Sequence, residues 1–187
     1  MIVAVLDAFV LYPPSLRDIL MRLGTSGVYA PRWTKAIQDE WARNVLADNQ
    51  NVSPAQLQRT TVLMELANPG SLVEGYESHA PILSLPDPDD RHVLAAAIHA
   101  SASHIVTYNL SDFPDSTLGL YGIEAIHPDL CMNALFQDDP APFLSAVRRQ
   151  RAALKNPPKS PQEYIDTMMA NGLVETARYI DEHRDVI

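Results

Sequence analysis

Four short apolar runs separated by stretches of helical periodicity constrain this chain more than any other feature. Ile2-Val3-Ala4-Val5-Leu6 is β-branched and nearly all apolar, as a strand buried on both faces of a parallel sheet must be, and it stops at Asp7. Ile82-Leu83-Ser84-Leu85, Ile105-Val106-Thr107 and Glu124-Ala125-Ile126 read as further strands, and Val28-Tyr29-Ala30 is a briefer apolar segment. Helical patterns lie between them. Pro13-Pro14-Ser15 opens one whose apolar stripe is Leu16, Ile19, Leu20 and Leu23, with Gly24 closing it. Pro31 is expected to start a second, carrying Trp33, Ile37, Trp41 and Val45 every four residues. Ser53-Pro54 caps a third that runs to about Ala67, and an Ala-rich helix covers Val93 to Ile98. Strands alternating with helices predict an α/β fold, a mainly parallel sheet flanked by helices in three layers.

From Pro128 the pattern becomes helical only. Segments near 129–136, 142–154, 161–170 and 173–183 are separated by Pro140, Pro157-Pro158 and Gly172, and Ser160-Pro161-Gln162-Glu163 fits a capping box. The expected organisation is an α/β domain over 1–127 with a helical C-terminal extension over 128–187. The apolar run at the start is too short for a leader or a spanning helix, so a cytoplasmic protein with no membrane partner is expected. Cys131 is the single cysteine, which excludes an internal disulfide and a Cys-based zinc site and suits a buried helix position. The six histidines form no H-E-x-x-H pair.

Net charge is −9, which argues against holding nucleic acid by general electrostatics. Residues 1–127 carry 14 acids against 7 bases, and 128–187 carry 9 against 7, so the acidic excess is N-terminal. In open α/β sheets function collects at the carboxyl ends of strands. Asp7 follows the first strand, the Asp87/Asp89/Asp90 group follows Ile82–Leu85, and Asp112 lies five residues past Ile105–Thr107. Glu40, three residues after Ile37, can stand at the edge of the buried helix face. Any one of these acids alone reads as a cap, a turn former or a solvated residue. Gathered at one sheet edge without a partner they would repel, and at least one would protonate. A divalent cation resolves that conflict. Oxygen donors without His or Cys support favour Mg²⁺ or Mn²⁺. Such a site suits phosphodiester hydrolysis and needs no side-chain nucleophile.

At this point the sequence resembles the PIN-domain nucleases. Val3-Ala4-Val5-Leu6-Asp7-Ala8-Phe9-Val10-Leu11-Tyr12 looks like the opening motif of that family, and Glu40 within Ile37-Gln38-Asp39-Glu40-Trp41 looks like its second acid. Asp90-Arg91-His92-Val93-Leu94-Ala95-Ala96-Ala97 resembles the third motif, with Asp87 as a helper. Val106-Thr107-Tyr108-Asn109-Leu110-Ser111-Asp112-Phe113-Pro114 resembles the fourth, although Asn109 stands where many members carry an acid. Either Asp112 is the fourth carboxylate, or three acids work with an amide. The resemblance implies a Mg²⁺- or Mn²⁺-dependent endoribonuclease with Asp7, Glu40, Asp90 and Asp112 as catalytic and metal-binding residues. It also implies the toxin of a type II toxin–antitoxin pair, of the VapC type with a helical C-terminal extension. Expected partners are an RNA substrate and a cognate antitoxin protein, with a homodimer possible. The competing reading is a catalytically silent PIN scaffold acting as a binding or regulatory protein. A haloacid-dehalogenase-like phosphatase would need a second Asp where Phe9 stands, and a receiver domain a Lys where Tyr108-Asn109 follow the strand.

Arg148, Arg149, Arg151, Lys155 and Lys159 are five of the fourteen basic residues. The bland reading is a solvated basic face. Arg148, Arg151 and Lys155, spaced 0, 3 and 7, are expected to align on one helix face that guides RNA or docks an acidic antitoxin segment. Asn109 and Thr107 are placed with them as substrate-binding candidates.

Overall fold

The first apolar run does become the middle of a sheet. In the computed structural model, which describes residues 1–187, β1 (Val3–Leu6) is flanked on both sides, and Ala4, Val5 and Leu6 are wholly buried. The chain continues through α1 (Ala8–Leu11), α2 (Pro14–Thr25), β2 (Ala30–Arg32), α3 (Lys35–Asp48), α4 (Pro54–Ala67) and α5 (Arg91–His99). Then come β3 (His104–Val106), α6 (Asp115–Leu118) and β4 (Glu124–Ile126), and the helices α7 (Pro128–Asp138), α8 (Pro140–Ala153), α9 (Pro161–Ala170) and α10 (Val174–Glu182). The strands lie in the order β2-β1-β3-β4, all parallel, with Ala4 opposite Pro31 on one side and His104 on the other. The chain leaves β1 toward β2 and later returns to the opposite side of β1. The carboxyl ends of β1 and β3 therefore flank a topological switch point, where side chains of two separate loops can meet. No helix is long and apolar enough to cross a membrane.

Local signals hold where the partner is a near neighbour in sequence. Ser53 caps α4 and Ser160 caps α9, each in a reciprocal capping box with Gln56 and Glu163. Leu16, Ile19, Leu20 and Leu23 are all buried, as are Cys131 and the four apolar residues Trp33, Ile37, Trp41 and Val45. Four expectations need correction. Ile82–Leu85 is not a strand. A 3₁₀ turn over Ala80–Ile82, with Ile82 78% exposed, precedes an unpaired stretch in which Leu83 and Leu85 are buried. Pro81 and Pro86 bracket it and offer no amide donors, so alternate burial anchors it without a ladder. Pro31 does not start a helix. It sits in β2, an edge strand, where a missing N–H is tolerated, and α3 starts after Thr34, whose hydroxyl accepts from Ile37 N at 3.1 Å.

Gly24 is the third correction, since it lies inside α2 and Gly27, at φ +73°, follows the helix. A Cβ on Gly24 would meet the Asn68 side chain and lie 2.7 Å and 2.9 Å from the Pro31 ring. The residue is there for close approach of α2 to β2 and to the end of α4. In an open helix Gly→Ala would stabilise by about 1 kcal/mol. Here overpacking against a ring fixed in a strand costs about 1–3 kcal/mol and outweighs that gain. Gly24→Ala is expected to lower the melting temperature by several degrees; an unchanged or raised value in a thermal melt would show that the Pro31 ring yields freely.

The fourth correction concerns the basic face. α8 ends at Ala153, before Lys155, and the Arg151 guanidinium donates to Lys159 O at 3.0 Å and Ile187 O at 2.8 Å. Arg151 thus ties the chain terminus to α8, and Arg148, Arg151 and Lys155 do not form one helical face. Arg149 donates to Ser26 Oγ at 2.6 Å, and Gln150 Nε2 donates to Ser15 O at 2.7 Å. These two bonds seat α8 on α2.

Candidate active site

Asp7 is placed by β1 and oriented by two donors. Its Oδ1 accepts from Ala8 N at 2.6 Å, which caps α1, and its Oδ2 accepts from Thr107 Oγ1 at 2.8 Å. The residue is only 5% exposed. Thr107 follows β3, one hundred residues later in the chain, so the parallel pairing of β1 with β3 is what brings these two groups together. Thr107 Oγ1 also accepts from Asn109 N at 3.0 Å. Thr107 is wholly buried and cannot touch a substrate. It is corrected from a substrate contact to the group that fixes Asp7 and the loop after β3.

A cavity of about 590 Å³ opens over Asp7. It gathers the carboxylates of Asp7, Asp39, Glu40, Asp87, Asp89, Asp90 and Asp112 with one guanidinium, Arg43, together with His92, Asn109 and Phe9. Glu40 comes from α3, Asp90 from the residue preceding α5, and Asp112 from the 3₁₀ turn Leu110–Asp112 after β3. The positions expected from the sequence, Asp7, Glu40, Asp87, Asp90, Asn109 and Asp112, do share this one cavity. Arg148, Arg151 and Lys155 do not line it. Asp87 is partly engaged in capping, its Oδ1 accepting from Asp89 N at 2.8 Å. Asn109 donates its amide to the Asp112 carboxylate, and His92 Nε2 stands 3.6 Å from Glu40 Oε2. Asp39, Arg43, His92 and Phe9 were not singled out from the sequence. Asp39 and Arg43 share a helix face by their spacing of four, and that was the available signal.

Electrostatics make the cavity unusual. Burial, and then the negative charges of Asp7, Asp87, Asp112 and Glu40, push the Asp90 carboxyl up to about 7. Burial raises Asp7 as well, opposed by the hydrogen bonds from Thr107 and Ala8 and reinforced by Glu40. A divalent cation would relieve this repulsion, and the donors are the hard oxygens that Mg²⁺ and Mn²⁺ take. No three His, Cys, Asp or Glu side chains close into a ready ligand cage. The residues fit the group in charge and chemistry.

A carboxyl raised from the ordinary Asp range to about 7 contributes stability at acid pH that is lost as pH rises through 7. Asp90 is half exposed, so with solvent screening the loss is on the order of 1 kcal/mol, or a few degrees in melting temperature. The metal-free protein is therefore expected to melt lower at pH 8 than at pH 5. Asp90→Asn should flatten that fall, and millimolar Mg²⁺ or Mn²⁺ should raise the melting temperature at pH 8. An equal fall in the Asp90→Asn protein would assign the pH dependence to other groups.

Comparison with known proteins adds two matches that together span most of the chain. A PIN domain family model matches residues 4–111, and a model described as the VapC50 C-terminal domain matches residues 128–182. A stretch of 40 residues is 60% identical to a protein of Mycobacterium tuberculosis (strain ATCC 25618 / H37Rv) named "Putative ribonuclease VapC50". That stretch covers 21% of this chain and 24% of the relative, so the match spans about a quarter of that protein's length. No solved structure matches the chain.

Proposed function

The chain belongs to the PIN-domain family, and from that premise we propose that it is a divalent-metal-dependent endoribonuclease, the toxin of a type II toxin–antitoxin pair. The observation that carries the reading is the convergence of seven carboxylates on one cavity with a single guanidinium among them. A structural cluster of caps would disperse that charge; a cation site concentrates it. Asp7, Asp90 and Asp112, with Glu40 and in a lesser part Asp87, would hold Mg²⁺ or Mn²⁺. When bound, the ion activates water and neutralises charge developing on the scissile phosphate.

The chain's own residues do the rest by position. Asp7 is locked by Ala8 N and Thr107 Oγ1, so its free lone pairs face the cavity in one orientation. Asn109 restrains Asp112 through its amide. Glu40 is supplied by α3 and joins the cluster in the same cavity. Thr107 and Asn109 belong to a loop that the C-terminal helices brace. Tyr108 Oη donates to Asn171 O at 2.7 Å, just past α9, and its ring packs edge-on against His127. Residues 128–187 then serve as an appended helical unit that stiffens the site as well as offering surface to an antitoxin protein. Cytoplasmic RNA is the substrate class.

Incubating the purified chain with RNA tests the reading. Internal cleavage is expected with Mg²⁺ or Mn²⁺ and none with EDTA. Cleavage that persists in EDTA would remove the metal from the mechanism, and none under any condition would leave a silent scaffold.

A further inference from the structure

Phe9 lines two cavities. One is the acidic cavity, and the other is a smaller one of about 320 Å³ lined with Tyr12, Asn44, Ala47 and Asp48. Its neighbours on α1, namely Ala8, Val10 and Leu11, are buried, whereas the Phe9 ring is 54% exposed. A lone exposed aromatic is unremarkable on a protein surface. A ring that lines both a carboxylate cavity and a second pocket, two residues from Asp7, adjoins whatever a substrate held at the carboxylates extends into.

We propose that this second cavity is a nucleobase subsite, taking the unpaired base next to the scissile phosphate with its face against Phe9. The proposal rests on the endoribonuclease reading and names its substrate class: single-stranded RNA, with a preference at one position beside the cut. The lining has the two properties a base requires. Phe9 and Tyr12 supply aromatic surface for stacking, the usual way proteins hold splayed-out bases. Asn44 and Asp48 supply polar groups for the base edge. Tyr12 Oη donates to Asp48 Oδ2 at 2.9 Å, which fixes both side chains and leaves the remaining lone pairs of the carboxylate and the phenol as acceptors. An acceptor-rich edge selects a base bearing an exocyclic amino group over uracil, whose edge offers one N–H between two carbonyls.

Arg43 precedes Asn44 on α3 and lines the acidic cavity. It makes no ion pair with any carboxylate there, and its Nε donates weakly to Asp39 O at 3.4 Å. Its guanidinium is thus free for a phosphate oxygen. Adjacent residues of α3 thus line the two cavities, Arg43 the acidic one and Asn44 the smaller.

The test uses the full chain in two backgrounds. Anisotropy of a short fluorescent single-stranded RNA is read with Asp7→Asn protein in Mg²⁺, and cut sites are mapped with the otherwise wild-type enzyme on RNA of mixed sequence. Phe9→Ala is expected to weaken single-strand binding about tenfold or more, the scale of one stacked base. Phe9→Tyr should restore binding, and binding of duplex RNA should be unaffected. Asp48→Asn, which keeps the shape but adds a donor, should shift the base preferred beside the cut toward uracil. If Phe9→Ala and Asp48→Asn bind and cut like their parents at the same sites, the subsite is wrong while the nuclease reading stands. Failure of Phe9→Tyr to restore binding also rejects it. If the wild-type chain neither binds nor cuts RNA, both readings fall together.

Discussion

Asp7→Asn is expected to reduce RNA cleavage at least about 1000-fold, a loss of about 4 kcal/mol of transition-state stabilisation, and to leave the fold intact. The substitution removes the charge that the cluster needs to hold a cation, and it does so at the residue most rigidly oriented toward the cavity. The fold should survive because an amide can occupy the same place. Its oxygen keeps the bond from Ala8 N, and its nitrogen can donate to Thr107 Oγ1, an atom with two lone pairs that already accepts from Asn109 N. Loss of the Asp7 charge also relieves Asp90 and Glu40. Cleavage rates, thermal melts and melting shifts with Mn²⁺ should therefore separate: activity and the metal-induced shift fall, while the metal-free melting temperature holds or rises. Wild-type cleavage by Asp7→Asn would remove Asp7 from the catalytic group.

The largest expected effect on stability lies outside that cluster. Asp129, in the first turn of α7, is buried, and its carboxylate accepts from Glu175 N and Thr176 N at 2.9 Å each and from Thr176 Oγ1 at 2.7 Å. It caps α10 from another helix. Asp129→Ala strips three donors of their acceptor at a site that water reaches poorly. The expected cost is about 3 kcal/mol, with a drop in melting temperature of roughly 6–12 °C for a chain of this size. Asp129→Asn keeps one acceptor oxygen and should lose less. Hydrogen exchange should show α10 and the Asn171 turn opening first. Because Asn171 O holds Tyr108, cleavage should weaken too, but far less than in Asp7→Asn. If both Asp129 variants melt as wild type does, the capping role is absent.

These two residues mark what could be read along the chain. Asp7 was legible because a buried strand ending on an acid is a local pattern. Asp90 and Asp112 were legible in the same manner, although Asp90 was placed after a strand that does not exist. Asp129 gave no signal of its own, since an acid in a first helical turn is ordinary. Its partners are 46 and 47 residues away.

The sequence by itself determined what depends on covalent neighbours. Side-chain period, β-branching and capping residues set β1, β3 and β4, the apolar stripe of α2, the caps of α4 and α9, and the change to helices after Pro128. Tertiary structure alone decided which of several locally acceptable states each ambiguous segment took. Pro31 could open a helix or sit at a sheet edge, and the edge position beside β1 selected the strand. Ile82–Leu85 could pair or merely anchor, and the burial of Leu83 and Leu85 selected the anchor. Arg151 could face solvent or bind the terminus, and the carbonyls of Lys159 and Ile187 selected the latter. Likewise the Thr107–Asp7 bond spans 100 residues and exists only because β1 and β3 lie side by side. Period and propensity act within a few residues, while burial and buried hydrogen bonds act between whichever residues the packed layers bring together.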